Sequence, residues 1–147
     1  KGFTRFMEND ILWAKITPCM QNGKCVVEKH LKNGFGFGST EFHVLRPKNN
    51  TLPEYIYCFF RTSILRKAAT MYFTGSAGQQ RVGTNFLEAL TIPKIPVHSD
   101  DKNAVTQERI VSDIFKMKYT IKSLYAQSEA LRKKVDDDFT DSVFCNK

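Results

Sequence analysis

Apolar and polar positions change period several times along the chain, and each change marks an element. Ile11–Ile16 is a short apolar run with Trp13 at its middle, β-capable though poorly alternating, and Thr17-Pro18 closes it as a strand-to-turn junction. Gln21-Asn22-Gly23-Lys24 supplies a turn, Asn-Gly being a strong hairpin signal, and Lys24–Lys29 returns as a second strand. Glu41–Leu45 is a third strand, ended by Arg46-Pro47 and the loop Lys48-Asn49-Asn50. A helix follows: Thr51 and Glu54 form a capping-box pattern, and Pro53 falls in the first turn, where its missing N–H costs nothing. Ile56, Phe59, Phe60, Ser63, Ile64 and Ala68 then keep helical spacing, with one face toward the sheet and the other carrying Arg61, Arg66 and Lys67, a dipole-matched cluster that is either a solvated face or a phosphate site. Thr74–Gly83 reads as a loop, and Thr84 can cap a short helix through Leu90. Thr91–Val97, with Pro93 and Pro96, is an extended run suited to a sheet edge, and His98–Asn103 is polar and acidic enough to be a linker.

The last long stretch, from Ala104 to Val135, has a different period. Ile110, Ile114, Met117, Ile121, Leu124, Ser128, Leu131 and Val135 are separated by alternating steps of four and three, the a/d spacing of a coiled-coil seam, and only Ser128 among them is polar. At about 1.5 Å per residue such a helix reaches roughly 45–50 Å. It either lies on its own domain or grips a partner helix. Asp136-Asp137-Asp138 opposes the helix dipole at a C-terminus, so the helix is expected to end near Lys134, leaving an acidic, disordered tail over 136–147. The expected division is a globular domain over 1–97, a linker over 98–106, the long helix over 107–135 and that tail. The class is α+β, a small mixed β-sheet with packed helices followed by a long coiled-coil helix.

Size and charge sharpen this outline. A chain of 147 residues can bury one core, and 41% hydrophobic content suits a folded protein. No apolar run is long enough to cross a bilayer and no signal-peptide pattern opens the chain, so a cytoplasmic protein with no membrane partner is expected. Cys19, Cys25, Cys58 and Cys145 show no CxxC pairing, which favours reduced thiols. The formal charge is +7, and through Ala104 there are 14 Lys/Arg against 8 Asp/Glu, so the globular part is the basic part. That suits a polyanionic partner, or a protein that is simply basic.

Candidate chemistry is sparse. Gly34, Gly36 and Gly38 alternate with Phe35 and Phe37, but GxGxxG is absent, no helix opens directly afterwards, and no acidic residue stands at the ribose distance. Pro-Pro, which a methyltransferase catalytic loop would require, does not occur. Cys19, Cys25, His30 and His43 match no structural-zinc spacing, and no Gly-x-Ser-x-Gly elbow is present. No catalytic residue, metal or cofactor is expected. Thr74–Arg81 differs in character: Gln79 and Gln80 can bond adenine edges, Arg81 can fork onto guanine or phosphate, and Gly75 and Gly78 free the backbone for close approach. The same residues also suit a tight turn. Lys15, Lys24 and Lys29 are either phosphate contacts or ordinary surface lysines.

Three ordered stretches carry a resemblance: Asp10-Ile11-Leu12-Trp13-Ala14 through Asn22-Gly23-Lys24, Gly38-Ser39-Thr40-Glu41-Phe42 through Arg46-Pro47, and Phe73-Thr74-Gly75 through Gln80-Arg81-Val82. They closely resemble the target recognition domain of type I restriction–modification specificity subunits. Ile92-Pro93-Lys94-Ile95-Pro96, followed by Gln107-Glu108-Arg109-Ile110-Val111, is similar to that family's exit into its helical region. The resemblance implies a double-stranded DNA reader without chemistry of its own. It implies two recognition domains per subunit, each reading half of a split target, and two long helices packed antiparallel as a spacer. Methylation subunits and a restriction subunit are the implied partners. Motif-matching positions Lys15, Lys24, Gln79, Gln80 and Arg81 become DNA-proximal candidates beside Lys29, while Thr40 and Glu41 are read as structural.

Three departures from the family pattern bear on the expectation. Lys1 stands only a few residues before the first motif, so the recognition domain is expected to lack its N-terminal part, with a sheet edge open as a result; the step from Pro96 to Gln107 is long; and one recognition domain and one helix are present. A lone half is expected to pair through Ile110, Ile114, Met117, Ile121, Leu124, Leu131 and Val135 with a second copy of itself or a second recognition half. An alternative is the recognition part of a single-chain restriction–methyltransferase.

Overall fold

The computed structural model describes residues 2–48 and 50–145, with the side chain of Cys145 excepted; Lys1, Asn49, Asn146 and Lys147, the last two in the expected tail, lie outside the described residues. The chain divides into two units, Lys1–Val111 and Ser112–Lys147.

The first unit is organised on β2 (Ile11–Ala14), which follows β1 (Thr4–Met7) and lies between β3 (Cys25–Val27) and β5 (Phe42–Leu45), antiparallel to both. The register sets Trp13 opposite Cys25 and His43. Ile11 and Trp13 are fully buried, because β2 is covered on the face where α1 (Pro53–Phe60) and α2 (Ser63–Thr70) pack. Trp13, Met20, Phe60, Leu65, Ala69, Val82 and Phe86 form the core cluster, with the Trp13 ring 4.8 Å edge-on from Phe60. Burying side chains of this size stabilises by about 1.5–3 kcal/mol each.

β2 and β3 pair as the expected hairpin, but their connection is longer than an Asn-Gly turn. Residues 17–23 form a run of turns that includes a cis Thr17-Pro18 bond, with Met20 N–H donating to Ile16 O and Asn22 N–H to Pro18 O. Gly23, at φ +69°, then reverses the chain, and Lys24 N–H closes the turn on Cys19 O.

A second ladder pairs β1 with β4 (Phe35–Gly38), antiparallel, with Phe6 opposite Gly36. The alternating glycines are thereby explained. A Cβ on Gly36 would stand 2.5 Å from Phe6 Cζ, and one on Gly38 would stand 2.8 Å from Phe42 Cζ. One side of the strand is stripped of side chains so that two rings fit beneath it, and Phe35 and Phe37 point to the exposed side. The α+β class and the long terminal helix agree with expectation; the strands, expected as a mixed sheet, form antiparallel ladders.

The single helix expected from Thr51 to Ala68 is two. Its first residue is Pro53 with Leu52 as N-cap, not Thr51, and it breaks at Arg61 and Thr62. Thr62 caps α2, its hydroxyl accepting from Leu65 N–H. A short ladder of β6 (Phe73–Thr74) and β7 (Arg81–Val82) brackets the expected loop, and α3 (Thr84–Ala89) is capped by Gly83 rather than Thr84. Thr91–Val97, expected at a sheet edge, joins no strand and is held by side chains: Tyr55 Oη donates to Pro93 O and Gln107 Nε2 to Ile95 O.

In the second unit, α4 (Gln107–Thr140, whose first residues belong to the first unit) continues past Val135, and a π-helical turn follows over Asp141–Cys145. Met117, Ile121, Leu124, Leu131 and Val135 are all more than half exposed, whereas Ile110, Ile114 and Ser128 are half-buried.

Candidate nucleic-acid interface

The backbone beyond β2 runs beside that of the 80–82 segment. Thr17 N–H donates to Gln80 O at 2.9 Å, Val82 N–H donates to Lys15 O at 2.9 Å, and Lys15 N–H donates to Glu41 O at 3.0 Å. Four of the six candidate residues, Lys15, Gln79, Gln80 and Arg81, therefore come together. Lys24 sits next door in the turn just before β3, its carbonyl accepting from Ala14 N–H. Lys29 lies at the other end of the β2–β3 pair, where Ile11 faces Val27.

Arg81 is engaged within the protein. Its Nε and Nη2 donate to the two carboxylate oxygens of Glu41, each at 2.8 Å, and Nη1 donates to Gln79 O at 2.7 Å. The Arg81 fork holds the Glu41 pKa below the usual carboxylate value. The guanidinium thus clasps the base of the loop to the start of β5, and Gln79 at the loop stays exposed. Lys29 is likewise engaged, with its Nζ 2.8 Å from Glu54 Oε1. Lys15 and Lys24 have no carboxylate within ion-pair distance among the described residues.

His43 stands behind the clasp. Its ring stacks on Trp13 at 5.8 Å, and Nε2 lies 2.9 Å from Val82 O; a carbonyl can only accept, so Nε2 carries the proton. Burial lowers the His43 pKa, more than the Val82 carbonyl raises it, and Lys15 adds to the lowering. A neutral imidazole therefore ties β5 to β7.

Asp10 is a second buried polar anchor of the sheet. It accepts from Arg46 Nε and Nη2 and from Met7 N–H, all at 2.7 Å. Burial alone would raise its pKa; the Arg46 fork and the Met7 amide outweigh that and hold it low. Pattern reading gave no hint of this pair, because the two residues lie far apart in sequence.

Arg61 and Arg66, expected on the face away from the sheet, close over the 16–24 turn: Arg61 Nη1 donates to Gly23 O and Arg66 Nη1 to Gln21 O at 2.6 Å. Their acceptors are neutral carbonyls. Among the described residues no group of three or more His, Cys, Asp or Glu side chains is arranged to hold a metal ion, and no helix is long and apolar enough to cross a membrane.

Comparison with known proteins adds a family. The model of the type I restriction modification DNA specificity domain matches residues 1–132. The specificity subunit of the Escherichia coli type I restriction enzyme EcoEI is 40% identical over 129 residues, covering 87% of this chain and 20% of that protein. The corresponding subunit of the Escherichia coli enzyme EcoAI is 38% identical over 113 residues, 76% of this chain and 19% of that protein. The chain thus spans about one fifth of the length of these curated relatives. No solved structure gives a significant match.

Proposed function

The chain belongs to the type I restriction modification DNA specificity family, and on that premise we propose that it recognises double-stranded DNA for a type I restriction–modification complex, directing methylation and cleavage carried out by partner subunits. The observation that carries the reading is the family match across residues 1–132, a span that takes in the whole basic unit and most of α4. The chain itself is a binding module and no enzyme. Its DNA-proximal residues are Lys15, Lys24, Gln79, Gln80 and Arg81, with Lys29 a further candidate at the other end of the β2–β3 pair.

The clasp gives these residues separate roles. Arg81, saturated by Glu41 and the Gln79 carbonyl, sets the position of the loop, whereas the exposed Gln79 amide is free to meet a base edge. The domain division is a recognition domain through Val97, a linker and the helix. The exposed seam on α4 is the surface for a second copy of this chain or a second recognition half, which would fix the spacing between two half-sites. Its setting is the cytoplasm, with methylation and restriction subunits as partners.

Duplex binding at low salt is the test. Selection of bound sequences from a randomised duplex pool should return a defined, short half-site. A protein that is folded and retains nothing from the pool at low salt contradicts the reading.

A further inference from the structure

We propose that the 21–24 turn, with the start of α2, is a binding site for the phosphodiester backbone of duplex DNA, formed by Lys24, Arg61, Arg66 and Lys67. The inference rests on the DNA-reading role above and joins Lys24 to three cations of the helical segment that lie outside the family motifs.

Three cations on this unit are paired. Arg46, Arg81 and Lys29 each have a carboxylate at ion-pair distance, Asp10, Glu41 and Glu54 respectively. Their charge is largely cancelled, so they offer little to a polyanion. Around the turn the arrangement is reversed. The Cβ that Gly23 lacks would lie 3.3 Å from Nη1 of Arg61 and 3.3 Å from Nη1 of Arg66, which sets two guanidiniums side by side over one glycine. Both are held by main-chain carbonyls, which orient them without neutralising them. Among the described residues neither has a carboxylate partner, and the amines of Lys24 and Lys67 make no hydrogen bond or ion pair. Four positive charges are thus gathered on one turn and the helix beside it.

Two adjacent guanidiniums repel each other unless an anion lies between or over them, and their spare N–H groups are geometrically suited to phosphate oxygens. The surface next to them fits the same ligand. A shallow groove of about 330 Å³ is lined by Gln21, Ser63, Arg66, Lys67 and Thr70, which are cations, hydroxyls and an amide with no carboxylate. Such a surface contacts phosphate and sugar and does not read bases, so it fixes the register in which the Gln79 loop meets the duplex.

Lys24 and Lys67 are the residues to alter, because neither side chain supports the fold, whereas Arg61 and Arg66 also hold the turn. Binding of the whole chain to a mixed-sequence duplex is measured against salt. Losing two phosphate contacts should lower the slope of log K on log salt by about 1.8 in the Lys24→Gln/Lys67→Gln protein, equivalent to roughly 60-fold weaker binding at 0.1 M salt if the curves converge near 1 M. Lys24→Arg/Lys67→Arg should retain the wild-type slope. Lys32→Gln/Lys94→Gln removes the same net charge elsewhere and should leave the slope nearly unchanged. A wild-type slope in the Lys24→Gln/Lys67→Gln protein overturns the proposal and leaves the DNA-reading role standing, and so does an equal loss in the Lys32→Gln/Lys94→Gln protein. No duplex binding by the wild type at low salt overturns both.

Discussion

Replacing Gly36 by alanine tests whether the glycine-rich strand is a packing device. The new methyl would lie 2.5 and 2.6 Å from Phe6 Cζ and Cε2, well inside van der Waals contact, and the Phe6 ring is itself buried and set edge-on to Phe42 at 6.2 Å. The ring must move or the strand must bend, at a cost of about 1–3 kcal/mol. Against this, removing a glycine from the unfolded chain favours folding by about 0.4–1 kcal/mol, so the net loss should be about 0.5–2 kcal/mol. Phe6→Leu supplies the decisive comparison. It deletes the ring atoms the methyl would strike, at its own cost of about 1–2 kcal/mol. In that background Gly36→Ala should be neutral or stabilising, giving a coupling of at least about 1 kcal/mol in a double-mutant cycle by urea unfolding. An equal penalty in both backgrounds would refute the packing account and mean that Gly36 serves something other than Phe6.

Further outcomes follow from the polar anchors. Gln107 is buried, accepting from Leu52 N–H at 2.8 Å and donating to Ile95 O at 2.8 Å and Asn50 O at 3.2 Å, so Gln107→Ala should cost about 2–3 kcal/mol in urea unfolding. Thr62→Ala should cost about 1 kcal/mol through loss of the α2 cap, and Thr62→Asn should restore most of it. The His43 pKa lies below the ordinary 6.5, so the unfolded imidazole takes a proton before the folded one does. Stability should be full above about pH 6.5 and fall as pH drops toward the depressed folded value, and His43→Gln should flatten that part of the profile. Glu41→Ala should release Arg81 and speed amide exchange across 74–82 while leaving exchange in β2 unchanged.

What could be read beforehand was what neighbouring residues decide. Ile11–Ala14 and Phe42–Leu45 announce themselves as apolar runs with terminators, and Pro53 marks a helix start within one or two residues. β1 gives no such signal, since Thr4–Met7 buries a single side chain and finds its partner in β4 well along the chain. The break at Arg61 and Thr62 is silent too, because the apolar period runs through it. Thr51 satisfies a capping pattern, yet the Leu52 N–H at that helix start is taken by the side chain of Gln107, 55 residues later. The site divides in the same way. The segment 74–81 could be picked out by composition, but Arg81 looks available until Glu41, 40 residues earlier, is found in its fork. The cations around Gly23 belong to two helices and a turn, and only folding makes them neighbours.

The loop between β6 and β7 has both feet on fixed ground. Thr74 faces Arg81 across the ladder, Gln80 is tied to Thr17, and Val82 is bonded to Lys15 and His43. Between them, residues 75–79 are exposed and touch nothing in the core. Length there, and composition at Ser76 and Ala77, are consequently free variables, whereas Gly75 and Gly78 hold positive φ: residues could be inserted or exchanged between the two glycines without the feet moving. On the proposed DNA-reading role, the loop is where such a module acquires a new target while its fold remains unchanged.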